Sequence, residues 1–536
     1  MNGSVRNVLD ALIVGAGFSG VYQLKCLRDE GWNVKLVDNA SDYGGAWYWN
    51  CYPGARVDSH VPTYQFSDPL LWKEWKWKQR FPGSQELRQY FTFVTEKWNL
   101  RKDTEFNFCI EKAVWNEQEA NWTISGPNGK TFHARYLLLN TGISAKRFTP
   151  AWDGVTDFQG QWIDPSYWSK SEINLEKKKV AIIGTGATAI QIAQEVSQCA
   201  AELVIFQRTP ALALPMKQID YKDGERSCLE RQASDFFGKR EHTFAGFSYT
   251  FADRKTFDEN TETRHAFYEK LWAAGDFQFW LANYQDMIID DKANTEAYEF
   301  WKKKIRSRIH DPTLQHVLAP DVKPYAFGCK RVPLENGYYD IFNQDNVSLV
   351  DINRTPILKI TKAGIQTTEK EWDFDCVVCA TGYDAITGGL MQMDIRGVAG
   401  NSLAEKWTAG VKTYLGMAVA GFPNLFFGYG PQAPTALCNA PTCAEYHGDF
   451  IVQTLNHMRQ NKHNRIEAEI DAENRWGELI SALANNTLFP GTKSWYFGDN
   501  IPGKRRESLL YFGGVTAYNQ ALKDCIKGGL SGFKTL

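Results

Sequence analysis

The sequence predicts an α/β protein built from two Rossmann-like dinucleotide-binding units, and three observations carry that prediction. Residues 11–20 read ALIVGAGFSG, an apolar run that breaks into Gly15, Gly17 and Gly20 at G-x-G-x-x-G spacing. Residues 180–189 read VAIIGTGATA and place Gly184, Gly186 and Ala189 in the same register. Each loop follows an apolar run and precedes a helix-compatible segment, GVYQLKCLRDEG and AIQIAQEVSQC. The first glycine permits a tight exit from a buried strand, and the second lets backbone approach a pyrophosphate. The third position must be small so that helix and strand can pack. The pyrophosphate then rests on unpaired N–H groups at the positive end of a helix.

Taken in order, the first unit runs from the strand ending at Val14 to the strand YLLLNTG at 136–142. Asp38 closes its next apolar run, NVKLVD, where an acid that accepts ribose hydroxyls is expected. SAKRFTPAWDG then crosses to the second unit, whose partner run LVIF ends in Gln207, Arg208 and Thr209 with no acid. One site thus suits a cofactor with a free ribose hydroxyl, the other a cofactor phosphorylated there. That pairing points to a flavin enzyme reduced by NADPH; the fold expected is the three-layer ββα flavoprotein type. Residues 217–320 are polar, aromatic and helix-compatible, with AYEFWKKKIRSRI as one amphipathic piece, and read as a mainly helical insertion. DFDCVVCATG returns to the second unit, and GFPNLFFGYGP at 421–431 rejoins the first. The expected boundaries are 1–145 and 385–536 for the FAD-binding domain, 146–216 and 326–384 for the NADP-binding domain, and 217–325 for the insertion. Thr141-Gly142 and Thr381-Gly382 mark the crossings, where glycine serves either as a hinge or as a tight strand exit.

Composition narrows the class. A chain of 536 residues supports several domains. Hydrophobic content of 43% and charged content of 23% are ordinary for a globular protein. A net charge of −2 gives no reason to expect nucleic acid or an anionic membrane as partner. The apolar runs are too short to span a bilayer, and MNGSVRNVLDALIVG lacks a secretory pattern. A cytoplasmic monomer acting on a small molecule is expected. The 11 cysteines have no framework spacing, so free thiols in a reducing compartment are expected, and no metal. Cys376 and Cys379 are three apart in a strand and point to opposite faces, which disfavours a metal or redox pair. No cysteine pair lies near Gly44-Gly45 as a flavin disulfide reductase needs. The stretch from Trp72 to Lys78, which interleaves aromatic and basic residues, reads as a surface helix or loop.

Beyond the first fingerprint, residues 44–58 fit G-G-x-W-x-x-x-x-Y-P-G-x-x-x-D, with Gly45, Trp47 and Asp58 at key places. Phe158-Gln-Gly160-Gln-Trp-Ile-Asp164-Pro-Ser-Tyr-Trp168 has the spacing of F-x-G-x-x-x-H-x-x-x-W, with Asp164 in place of the histidine. Lys330-Arg331-Val-Pro, ATGYD at 380–384 and Lys493-Ser-Trp495-Tyr-Phe-Gly follow. The whole resembles the type I Baeyer–Villiger monooxygenases. That resemblance implies NADPH- and O2-dependent conversion of a ketone to an ester or lactone through a flavin peroxide that attacks the carbonyl. It also implies that Arg331 and Asp58 are the catalytic pair, and that Trp47 and Trp495 lie against flavin or nicotinamide. The residues can be read for the same chemistry directly: a guanidinium is always charged, and a carboxylate can orient it. Lys330, Arg208 and Thr209 would grip the NADPH phosphate. The Asp164 departure leaves turnover expected and coupling altered. Gln432–Cys438 and the residues around Tyr338 and Tyr339 are candidates to line the substrate pocket. A related flavin monooxygenase that oxygenates nitrogen or sulfur is the alternative, and a catalytically silent flavin-binding protein a third reading.

Overall fold

The computed structural model describes residues 8–168, 173–222 and 226–536. Residues 1–7, which open the N-terminal stretch read above, lie outside them. Two large sheets, one mixed and one parallel, organise the described residues. The first runs in the order Asp394–Arg396, Lys112–Asn116, Asn121–Ser125, Thr131–Leu139, Val8–Val14, Val34–Val37, Thr104–Glu105, and Leu425–Phe427 also pairs with Thr131–Leu139. Its fingerprint end is parallel, while residues 112–139 form an antiparallel meander. The second runs Val347–Asp351, Glu202–Gln207, Lys179–Ile183, Cys376–Cys379, Gln161–Ile163, all parallel. Apart from Lys179 and Glu202 at their starts and Gln207 at an end, its central strands are apolar and buried on both faces, as a helix-covered parallel sheet requires. The chain is therefore α/β with two dinucleotide-type sheets, as the fingerprints predict.

Between the two visits to the second sheet lie the helices Arg226–Lys239, Thr261–Ala274, Asp291–Arg306 and Pro312–Leu318. Capping sets the starts of the last three: Asn260, Asp290 and Asp311 each accept from a backbone N–H of the first turn. Helix Asp291–Arg306 buries Ala297, Tyr298, Phe300, Trp301 and Ile305, the apolar stripe read from the sequence.

The two crossings run side by side. Phe148 N donates to Gly382 O (2.9 Å), Asp384 N to Lys146 O (2.8 Å), and the Thr381 hydroxyl to Phe148 O (2.7 Å). Gly142 and Gly382 hold φ of 69° and 94°, and a Cβ at either would have no atom within 4 Å. Conformation rather than crowding therefore calls for glycine there.

Two expectations need correction. Nine cysteines are free, Cys376 and Cys379 among them and both buried, but Cys438 and Cys443 form a disulfide. A short turn at Thr435–Leu437 leads straight into helix Ala440–Gln460 and folds the two side chains together, which a five-residue spacing does not announce. The stretch from Trp72 to Lys78 is the expected helix end and loop, with Lys73, Glu74 and Lys78 exposed, while Trp77 is buried and bonded to Gln65 (2.8 Å), and Trp75 and Trp77 both pack on Tyr90. Tyr338 and Tyr339 are spent on packing beside the insertion, the Tyr339 hydroxyl donating to Ala211 O (2.7 Å) and accepting from Ala213 N (3.1 Å). Among the described residues no helix is long and apolar enough to cross a membrane.

Candidate active site

Each fingerprint forms the expected strand–turn–helix. Gly15 exits Val8–Val14 at φ 106°, and a Cβ there would stand 2.3 Å from Asn140 O. A Cβ on Gly20 would stand 1.8 Å from Gly15 O, which is the close helix–strand contact the third glycine exists to allow. Gly17 caps helix Phe18–Asp29 with no side chain on its N–H groups, and Gly186 does the same for Ala187–Val196, where Ala189 is buried. Such ends attract phosphate. Gly184 repeats Gly15, at φ 116° and 2.4 Å from Ala380 O by the same test, while Gly186 faces open space. These backbone cradles fit FAD and NADPH pyrophosphates.

The Gly44-Gly45 turn is laid over the first loop. Gly44 N donates to Ala16 O (3.0 Å), and a Cβ on Gly45 would come within 2.7 Å of Gly17 Cα. Downstream, the motif docks on the second unit: Tyr52 donates to Gln191 Oε1 (3.0 Å), and Gln191 Nε2 to Arg56 O (3.0 Å). Gly54, at φ 76°, has Gln191 O 2.6 Å from its Cβ position. The signature therefore couples one fingerprint to the other, a role its spacing does not reveal. Asp38 is buried, with its carboxylate accepting from Ala16 N (2.5 Å) and Ala40 N (2.7 Å). Burial raises its pKa, opposed by those two bonds. It braces the first loop from the place where a ribose is expected.

The pair at the centre joins segments 273 positions apart. Arg331 donates to Asp58 Oδ2 through Nη2 (2.6 Å) and Nε (3.1 Å), and to Ala436 O through Nη1 (2.9 Å). Its guanidinium carbon lies 5.0 Å from the centroid of the Phe277 ring. Burial works against the charge, but Asp58 outweighs it, with Tyr496 and Tyr429 contributing, so Arg331 is held above its ordinary pKa. Ala436 brings the Gln432–Cys438 segment to the site, whereas Tyr338 and Tyr339 stay in the packing. Phe277, Tyr429 and Tyr496 were not singled out from sequence. The motif boundary at Trp495 was the one signal that pointed toward Tyr496.

Lys330 stands beside Arg208: burial and the Arg208 charge lower its pKa to about 8. Its ammonium lies 4.5 Å from the Tyr325 ring centroid. Thr209 O accepts from Thr185 Oγ1 within the second loop (2.6 Å). Trp47 donates to the Tyr64 hydroxyl (3.0 Å), and Trp495 packs edge-on against Tyr496 (4.5 Å).

Asp164 begins the turn Pro165–Tyr167, accepting from Ser166 N (3.0 Å) and Ser166 Oγ (2.5 Å), and pairs with Arg147 Nη1 (3.3 Å) on the first crossing. A single imidazole cannot meet all three donors. Asp164→His is expected to leave turnover intact but raise the peroxide released per NADPH by up to about fivefold, the factor that the ~1 kcal/mol typical of a lost cap corresponds to. Unchanged peroxide release would make residue 164 a simple linker.

Residues 9–230 match the pyridine nucleotide-disulphide oxidoreductase family. The chain is 46% identical over 535 residues to cyclopentanone 1,2-monooxygenase of a Comamonas species, covering 99% of this chain and 97% of that one. The chain belongs to the Baeyer–Villiger monooxygenases. Another member, the methyl acetate-forming acetone monooxygenase of a Gordonia species, is 37% identical over 98% of both chains. The crystal structure of OTEMO in complex with FAD and NADP superposes with a TM-score of 0.95 at 31% identity, over 99% of this chain and 100% of that one. This Baeyer–Villiger monooxygenase is thus a flavin-dependent enzyme that uses FAD and NADPH to convert ketones to esters or lactones.

Proposed function

We propose that the chain uses NADPH and O2 to insert one oxygen atom beside the carbonyl of a small cyclic ketone, giving a lactone, with Arg331 and Asp58 as the catalytic residues. The observation that carries this reading is the Arg331 guanidinium fixed on two sides, by Asp58 and by the Ala436 carbonyl. In this reading residues 1–145 and 385–536 hold FAD through Gly15, Gly17, Gly20, Asp38, Gly45, Trp47 and Asp58. Residues 146–216 and 326–384 hold NADPH through Gly184, Gly186, Ala189, Arg208, Thr209 and Lys330, with Trp495 beside it. When bound, FAD reduced by NADPH activates O2 and supplies the inserted oxygen. Arg331 holds a fixed positive charge where negative charge develops, and such preorganised charge needs no reorganisation during reaction. Asp58 fixes its direction, and Phe277, Tyr429 and Tyr496 stand around it. The similarity to cyclopentanone monooxygenase supports a five-membered cyclic ketone as the first substrate to try. The same reading puts the enzyme in the cytoplasm as a monomer, the nine free cysteines supporting the first and sedimentation testing the second.

The test is a panel of cyclic, linear and aryl ketones with a thioether and an amine, given to the FAD-loaded protein with NADPH in air. Lactone from cyclopentanone is the expected product. Sulfoxide or N-oxide alone, with every ketone untouched, would transfer the assignment to nitrogen- or sulfur-oxygenating chemistry.

A further inference from the structure

A second polar network lies behind the Arg331–Asp58 pair. Helix Thr261–Ala274 ends at Gly275, and Asp276 follows at φ 54°, a region that Asp tolerates better than most residues. Asp276 N donates to Pro215 O (3.0 Å), Asp276 Oδ1 accepts from Gln278 N (2.8 Å), and Oδ2 accepts from Arg80 Nη2 (2.7 Å). The Asp276 side chain is 1% exposed and that of Arg80 14%. Arg80 Nη1 donates to Ala274 O (3.1 Å) and Lys217 O (3.2 Å), so one guanidinium from the first unit ties down both sides of this turn.

The next residue is Phe277, whose ring lies against Arg331. Phe277 packs edge-on to Phe247 (5.8 Å), Phe247 stacks on Tyr249 (5.5 Å), and Tyr249 stacks on His60 (5.9 Å). His60 Nδ1 is 3.4 Å from Asp276 Oδ2, and His60 lies two residues beyond Asp58. The contacts close a circuit from Asp58 through Arg331, Phe277, Asp276 and His60 back to the Asp58 loop. A buried charge is costly unless paired, and an uncharged residue could make the turn without that cost.

We infer that Asp276, paired with Arg80, is a positioning residue: it fixes the turn that lays Phe277 against Arg331 and braces the His60 side of the Asp58 loop. The inference rests on Arg331 being the active-site cation. The titratable and charged groups facing Asp276 are Arg80, His60 and Tyr249, with Lys217 packed on Gly275 and Arg331 beyond Phe277. Burial pushes the Asp276 carboxyl up to about 6 against the opposing Arg80 charge. Burial and Arg80 lower His60 to about 3, so the imidazole stays neutral while Asp276 titrates. As pH falls through about 6, Asp276 loses its charge and Arg80 its partner.

The test compares FAD-loaded wild type, Asp276→Asn, Arg80→Gln, Arg80→Lys and Arg331→Ala. Three quantities are read: anaerobic flavin reduction by NADPH, ester formed per NADPH consumed, and the pH profile of that ratio. Asp276→Asn and Arg80→Gln are expected to lower the ratio at least about tenfold, because small misplacements at a reacting centre are amplified. Flavin reduction should stay close to wild type, the acid limb near pH 6 should vanish in Asp276→Asn, and Arg80→Lys should recover part of the ratio. The proposal is overturned if ratio and acid limb match wild type in Asp276→Asn while Arg331→Ala still abolishes ester. It is equally overturned if flavin reduction, FAD content and ratio fall together, a purely structural loss. Ester persisting in Arg331→Ala would instead remove the premise about Arg331, and the positioning role with it.

Discussion

Arg331→Ala is expected to lower ester formation by about 10²- to 10³-fold, while NADPH still reduces the flavin and O2 is still consumed. The guanidinium is the fixed cation of the site, anchored by three hydrogen bonds to Asp58 and Ala436. Alanine removes the charge and leaves Asp58 without its partner, so reducing equivalents should emerge as hydrogen peroxide. Arg331→Lys should recover little, because an ammonium cannot span Asp58 and the Ala436 carbonyl together as a planar fork does. Product formation and peroxide release per NADPH measure both effects. Ester formation near the wild-type rate in Arg331→Ala would show that another group bears the developing charge.

The second large effect is expected at the ribose 2′-phosphate of NADPH. Arg208 and Lys330 are close enough for the Arg208 charge to lower the Lys330 pKa, a repulsion that a bound phosphate would relieve. Charge-assisted hydrogen bonds contribute roughly 1.5–3 kcal/mol each, so Arg208→Ala should raise KM for NADPH by about 10- to 100-fold. KM for NADH should hardly move, since that cofactor carries no such phosphate. Lys330 is held at about 8 before cofactor binds, so the free enzyme loses this charge as pH rises through that value. KM for NADPH should therefore climb above about pH 8, and the climb should be absent in Lys330→Ala. Equal losses for NADPH and NADH in Arg208→Ala would place the phosphate elsewhere.

Both fingerprints were legible in sequence because their glycines answer backbone demands that no other residue meets: Gly20 against Gly15 O, and Gly184 against Ala380 O. The Arg331–Asp58 contact was legible only through motif resemblance, since nothing local to either residue announces a partner 273 positions away. Gly54 illustrates a signal whose cause lay out of reach, because its crowding comes from the Gln191 carbonyl on the other unit's helix. Tyr338 and Tyr339 erred in the opposite direction, as aromatic residues near a motif can belong wholly to a core. Asp276 was invisible for a similar reason: in sequence it is one acid after a glycine, and its burial and its pairing with Arg80 exist only in the fold.

The most direct measurement of the central claim is cyclopentanone turnover by the FAD-loaded enzyme under isotopically labelled oxygen gas, with NADPH, and with Arg331→Ala in parallel. Product mass and NADPH consumption are followed together. The expected result is a lactone carrying one labelled oxygen per NADPH from the wild type and labelled peroxide from the variant. A lactone without label, or an untouched ketone beside an oxygenated thioether or amine, would contradict the assignment.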